Sequence, residues 1–419
     1  MTDRFLFFLK RLREKLWFRP LVMCVLSATG AFFAKVADSL EVGELAPQVK
    51  VDTVEHLLSI MAASMLVMAT FAVGSMVSAY ASAAGTATPR SFPLVVADDV
   101  SQNSLSAFLA AFIFSVVALI AVENGYYQNA GRFTLLMLTL LVFAIVVLTF
   151  VRWVDSVARL GRLGATIDKV EAATMAALER RRLAPTLGAN EVSSQSGQGL
   201  EVYSSSVGYV QRIDLLTLQG EAEKAKVRIE VAALPGSFVH PGKPLAFILD
   251  SELPSDELPI QNFADAFRIA HDRTFDEDPR FGLIVLGEIA SRALSPGIND
   301  PGTAIDVLGT MTRLFLRWNT PLSEDKKKST FFDRVAVPRL SPDDMLEDAF
   351  RVIARDGAGC IEVVVRLQKS LECLATIGHG PLRELAREHA RRALARAEAA
   401  LDFPRDRLCA REAAEFVID

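Results

Sequence analysis

Apolar residues are not spread evenly along this chain. Four long runs, at roughly 21–37, 57–84, 105–122 and 133–154, fill the first third, and no comparable run follows. Each is near or above the roughly 20 residues a helix needs to cross the hydrocarbon core. The pattern predicts four transmembrane helices over residues 1–154. From 155 to about 184, Leu160, Leu163, Ile167, Val170 and Met175 recur at helical spacing, so a charged amphipathic helix continues out of the fourth run. Residues 188–199, rich in Ser, Gln and Gly, read as a loop that closes a connecting segment over 155–199. Residues 200–255 change period, with β-branched strand-like stretches separated by turn glycines and prolines. Residues 256–419 return to a mainly helical pattern, with three or four amphipathic helices after Ser341. The expected fold class is membrane α-helical, plus a cytoplasmic α+β tail holding a small β-barrel-like module and a helical C-terminal region.

Charge placement orients this arrangement. Arg4, Lys10, Arg11, Arg13, Lys15 and Arg19 precede the first run, and Arg152, Arg159 and Arg162 follow the fourth. The loop between the first two runs is acidic, with Asp38, Glu41, Glu44, Asp52 and Glu55. The positive-inside rule then places both termini in the cytoplasm of a multi-pass protein of the bacterial inner membrane. Lys35 occupies the minus-three position of a candidate cleavage site near Ala37, where a small residue is needed, so the first run is expected to stay in the chain.

Composition adds mostly exclusions. The 51% apolar content averages an oily front with a charged back, and the net charge of −5 gives no sign of a nucleic-acid partner. Cys24, Cys360, Cys373 and Cys409 form no CxxC pair, and the histidines show no HExxH spacing. No Walker loop, dinucleotide fingerprint or GxSxG elbow occurs. The expectation is therefore no metal, no cofactor and no catalytic residues. No acidic residue lies in the middle of an apolar run, which disfavours ion-coupled transport.

The second run differs from the others. Ala62, Ala63, Ala69, Ala72, Gly74, Ser75, Ser78, Ala79 and Ala83 make it rich in small residues, which let helices approach closely in lipid. Two readings fit that composition: a central helix buried among its neighbours, or a helix lining a pathway in a homo-oligomer. In the second reading Ser64, Thr70, Gly74, Ser75 and Ser78 face the pathway. Beyond this run, Pro89 and Pro93 interrupt the helix around Arg90, and Asp98 and Asp99 precede the third run. The acids serve as helix caps or, with Arg90, as a cytoplasmic contact.

In the tail, Arg292, Ser295, Asn299, Asp300 and Thr303 crowd polar groups around a Ser-Pro-Gly break. Asp300 or Asn299 can cap the next helix, with Pro301 in its first turn. The same group is a candidate ligand or interdomain contact. In the strand-like part, GYVQRID followed by PGSFVHPGKPL looks like the small β-fold of biotinyl and lipoyl carriers and of membrane-fusion adaptors. Lys224 and Lys226 lack the hairpin setting of a modifiable lysine, which leaves an interaction module rather than a carrier.

Three strings together resemble one family: TPRSFPLVVADDVSQNSLSAFLAAFIFS, VGYVQRIDL with PGSFVHPGKPL, and above all EIASRALSPGINDPGTAIDVL. They are similar to a family of predicted bacterial integral membrane proteins, domain of unknown function number twenty-two fifty-four. Gly302 departs from the aromatic expected there in many relatives. The resemblance implies a four-helix membrane region with a cytoplasmic tail, and no established reaction. The partners expected are the lipid bilayer and further copies of the chain. Two functions are carried forward: an oligomeric channel-like conduit with a cytoplasmic regulatory domain, and a membrane-anchored sensor or scaffold whose tail binds a partner or small ligand.

Overall fold

The structure is a computed structural model. It describes residues 18–39, 47–96, 99–159, 162–192, 199–251, 254, 257–322 and 331–418. The chain divides into two compact units, residues 1–166 and 167–419.

The first unit is helical. Among its described residues, α1 spans Phe18–Phe33, α2 Val51–Thr86, α3 Asp99–Glu123 and α4 Asn129–Arg159. The last three are long and apolar enough to cross a membrane. The first run was expected to make a fourth crossing. Its α-helix is only 16 residues, or about 24 Å at 1.5 Å per residue, and it tightens into a 3-10 turn over Ala34–Ser39. Large apolar side chains remain exposed on these helices, including Val67 and Val77 on α2 and Leu141, Leu148 and Val151 on α4. Such a continuous apolar surface fits lipid far better than water.

Of the three long helices α3 is the most buried, packed by both α1 and α2. Its Ala111, Phe114, Ala118 and Ser115 are enclosed, and the Ser115 hydroxyl donates to the Ala111 carbonyl at 2.8 Å. Such back-bonding lets a hydroxyl lie in an apolar interior without an orphaned group. At one end Trp153 of α4 is buried, with Phe71, Phe108 and Phe150 at ring-centroid distances of 5.8, 6.0 and 6.0 Å. At the other end, Asp38 accepts from the backbone N–H groups of Gln128 (2.9 Å) and Gly131 (2.6 Å), at the start of α4. Beside it Lys35 donates to the Tyr126 carbonyl at 2.6 Å, and the buried Tyr127 hydroxyl donates to Ala31 at 2.6 Å. The first helix is thus tied to the α3–α4 connection by polar groups on both sides.

In the second unit α5 spans Leu163–Leu183, beginning just before the division, and strands follow. β1 (Ala189–Glu191), β2 (Leu200–Tyr203), β4 (Arg228–Val231), β6 (Pro244–Leu249) and β8 (Phe332–Val337) form one sheet in the order β1-β8-β4-β6-β2. β3 (Gly208–Ile213), β5 (Phe238–Val239) and β7 (Phe267–Ala270) form a second, in the order β5-β3-β7. No closed barrel forms among the described residues, so the barrel-like module is replaced by two open sheets. The reason is β8, which inserts between β1 and β4 and pairs parallel with both. The stretch 200–255 therefore holds β2 to β6, and three strands from outside it complete the sheets. Val202, Ile229, Leu245, Ile248, Val335 and Val337 close the core together with Leu218 of α6 (Leu215–Ala225).

The rest is helical: α7 Pro279–Ala293, α8 Pro301–Asn319, α9 Pro342–Asp356, α10 Ile361–Ile377, α11 Pro381–Ala400 and α12 Pro404–Ala413. Three of these starts share one device. Asp278, Asp300 and Ser341 each accept from a backbone N–H three residues on, with proline as the first helical residue. α5 approaches α7 so closely that a Cβ on Gly282 would lie 1.8 Å from the Thr174 hydroxyl. Only glycine permits that approach.

Candidate functional site

The turn between α7 and α8 is built from its own backbone. The N–H groups of Ile298 and Asn299 donate to the Ser295 carbonyl at 3.0 and 2.9 Å, and that of Asp300 to Ala293 at 2.8 Å. Closing so short a link places Asn299 at φ +50°, in the left-handed region that asparagine tolerates better than most residues. Asp300, not Asn299, is the cap. One carboxylate oxygen accepts from the Thr303 N–H at 3.1 Å, and the other from the Thr303 hydroxyl at 2.6 Å. The Thr303 hydroxyl and N–H hold the Asp300 carboxyl below its usual range. The Ser295 hydroxyl donates to the Arg292 carbonyl at 2.6 Å.

The turn therefore brings Asp300 and Thr303 together and turns Ser295 back onto its own helix. Pro296, Gly297, Ile298 and Asn299 lie exposed at the surface. The polar density that made this string a candidate ligand site is largely consumed in ending one helix and starting the next. An external anion at the α8 N-terminus would meet the Asp300 carboxylate already there.

Of the other candidate contact group, Arg90 is exposed on a 3-10 turn over Pro89–Ser91. Ser91 beside it is buried, its hydroxyl donating to the Thr88 carbonyl at 2.8 Å. Asp99 begins α3, and Asp98 lies outside the described residues.

The small-residue helix has two clearly different faces. Leu58, Met61, Met65, Ala69, Ala72, Met76 and Ala79 form the inner one, at spacings of three and four. Ser64, Thr70, Gly74 and Ser78 are exposed on the outer one, with Ser75 half-buried at its edge. The central position goes to α3 instead. Thr70, Phe71, Gly74, Ser75, Ser78, Ala79 and Ser82, with Val157 of α4, line an open groove of about 620 Å³. Four of the five residues expected along a pathway thus lie in one groove, and Ser64 lies outside it. A Cβ on Gly74 would meet nothing within 4 Å. The Thr70 hydroxyl donates to the Leu66 and Val67 carbonyls at 2.7 and 3.0 Å, leaving its oxygen as an outward acceptor.

Two arrangements carried too weak a sequence signal to be singled out. Lys35 and Asp38 entered the sequence reading only through cleavage and charge placement, although they secure the α3–α4 connection. Arg181, in the run Arg180–Arg182 that ends the amphipathic helix, was not among the expected site residues, yet it is 3% exposed. A triple arginine closing an amphipathic helix was the available clue.

Comparison with known proteins places these features in a family. A match to the family described as predicted membrane protein (DUF2254) covers residues 13–373. Uncharacterized proteins Rv1290c and MT1328 of Mycobacterium tuberculosis and Mb1321c of Mycobacterium bovis are each 32% identical over 105 residues, 24% of this chain. The match spans 20% of the length of each relative. No solved structure matches.

Proposed function

The chain belongs to the predicted membrane protein family DUF2254, and on that footing we propose that it is an oligomeric, channel-like conduit whose copies meet along α2. The observation that carries this reading is the groove over Thr70, Gly74, Ser75 and Ser78. Lipid has no hydrogen-bonding partner to offer an exposed hydroxyl face, whereas another helix or a water-filled path does. Small residues let that helix come close. The purely apolar faces of α4 take the lipid side.

In this reading α1 completes a fourth crossing, its short length met by local thinning of the bilayer. Both termini then lie in the cytoplasm of a bacterial inner membrane, and residues 167–419 act as a cytoplasmic regulatory part. The reading predicts ion flux from purified protein in liposomes and an oligomer in detergent. Gly74→Leu should abolish both while leaving the monomer folded, because the space beside Gly74 within one chain is open. A monomeric wild type without flux under voltage, tension or pH change would refute it. Labelling of single cysteines near each end, from each side of sealed vesicles, tests the topology separately.

A further inference from the structure

One side chain in the second unit is poorly satisfied where it sits. Arg181 is 3% exposed, near the end of α5. Its Nη2 donates to the Pro338 carbonyl at 2.9 Å, and its Nε has no hydrogen-bond partner. Among the described residues no carboxylate lies within ion-pair distance of it. Burial pulls its pKa down to about 10, with Glu277 only partly offsetting that. A buried arginine normally carries a carboxylate or several acceptors, because an uncompensated charge in low dielectric is costly.

Arg181 lines a cavity of about 410 Å³. That volume lies within the ordinary range for small-molecule sites. Its walls are mainly apolar: Ala177, Leu183, Ala184, Leu187, Leu215 and Phe332. The other charged groups in the lining are paired, capping a helix or, in the case of Asp276, exposed at the surface. Arg180 donates to the Asp276 carbonyl. Arg212 pairs with Glu277 at 3.4 Å. Asp214 caps α6 by accepting from Thr217 at 3.1 Å. The buried unmatched group in the cavity wall is thus a cation.

We propose that this cavity binds a monocarboxylate with an apolar chain, its carboxylate answering the charge of Arg181 and its chain lying along the leucines and Phe332. Two features select this class. The apolar walls favour an apolar body over a hydrated inorganic anion. The acids Asp214, Asp276 and Glu277 in the same lining oppose a dianion such as phosphate more strongly than a single negative charge. The inference concerns the second unit alone and stands or falls independently of conduction along α2.

Binding of radiolabelled octanoate to the full chain in lipid nanodiscs tests it, with thermal unfolding measured alongside. Octanoate should saturate one site per chain and raise the unfolding temperature. Arg181→Met should weaken binding at least tenfold and abolish the thermal shift, while its own unfolding temperature does not fall. A purely structural arginine would instead lower it. Leu216, 75% exposed and also in the lining, provides a second variant that does not depend on the core. Leu216→Asp should fold normally and weaken octanoate binding by charge repulsion. Unlabelled octanol and inorganic phosphate should each fail to compete. Uptake that is non-saturable or equal in wild type and both variants, or competition by phosphate or octanol as strong as by octanoate, would overturn the assignment.

Discussion

Asp300→Ala isolates what the α7–α8 turn does. The substitution removes the acceptor for the Thr303 N–H and for its hydroxyl. The α8 N-terminus then has an unsatisfied donor and loses the negative charge that favours its dipole. Loss of such a cap costs about 0.5–2 kcal/mol. The carboxylate here makes two bonds, which argues for the upper half of that range, so about 1.5 kcal/mol. For a domain of roughly 150–250 residues that lowers Tm by about 3–6 °C. Asp300→Ser keeps a good capping oxygen and should recover most of the loss.

The pH dependence has a defined sign. Because the Asp300 carboxyl is held below its unfolded value near 3.8, its contribution is fully present above that pH. It is lost as pH falls through the lower folded value. Wild type and Asp300→Ala should therefore differ by the same amount at pH 7 and pH 5 and converge in stronger acid. Thermal unfolding of the full chain, with hydrogen exchange on the first turn of α8, reads both effects. A serine variant as damaged as the alanine variant would refute the capping account, as would an alanine variant of unchanged stability.

Two further outcomes follow from the packing. Asp38→Ala should raise hydrogen exchange at Gln128 and Gly131 and lower stability by about 1–2 kcal/mol, since it strips two backbone donors at the start of α4 of their acceptor. Leu218→Ala should cost about 2–5 kcal/mol in the second unit, measured by denaturant unfolding, because Leu218 is fully buried between α6 and the sheets.

Much of the local structure was legible in the sequence. Helix ends at Asp300-Pro301 follow from interactions within four residues, and the string itself contains every group involved. The same locality explains why the last three apolar runs became helices α2, α3 and α4, each extending several residues beyond its apolar run. The candidate site was legible in part. Thr70, Gly74, Ser75 and Ser78 share a helix face by spacing alone, and they do line one groove. Of Arg292, Ser295, Asn299, Asp300 and Thr303, the hydrogen bonds join Asp300 with Thr303 and Ser295 with the Arg292 carbonyl, and composition did not separate a cap from a binding site.

What stayed hidden depends on contacts between residues far apart in the chain. Small residues suit both a buried helix and an exposed face, so the sequence by itself determined that α2 is built for close approach, while packing decided that α3 holds the centre. Strand propensity marked 200–250 as β structure. Only tertiary pairing brought in β8 from 332–337, and its insertion between β1 and β4 left open sheets in place of a barrel. Arg181 is the sharpest case. Its neighbours along α5 describe a solvated helix end, yet it is buried, bonded to the Pro338 carbonyl and sharing a cavity wall with Phe332 and Glu277, which lie far away in sequence. Helix formation and capping are set by nearby residues, but the desolvation of a side chain depends on whatever the rest of the fold lays over it.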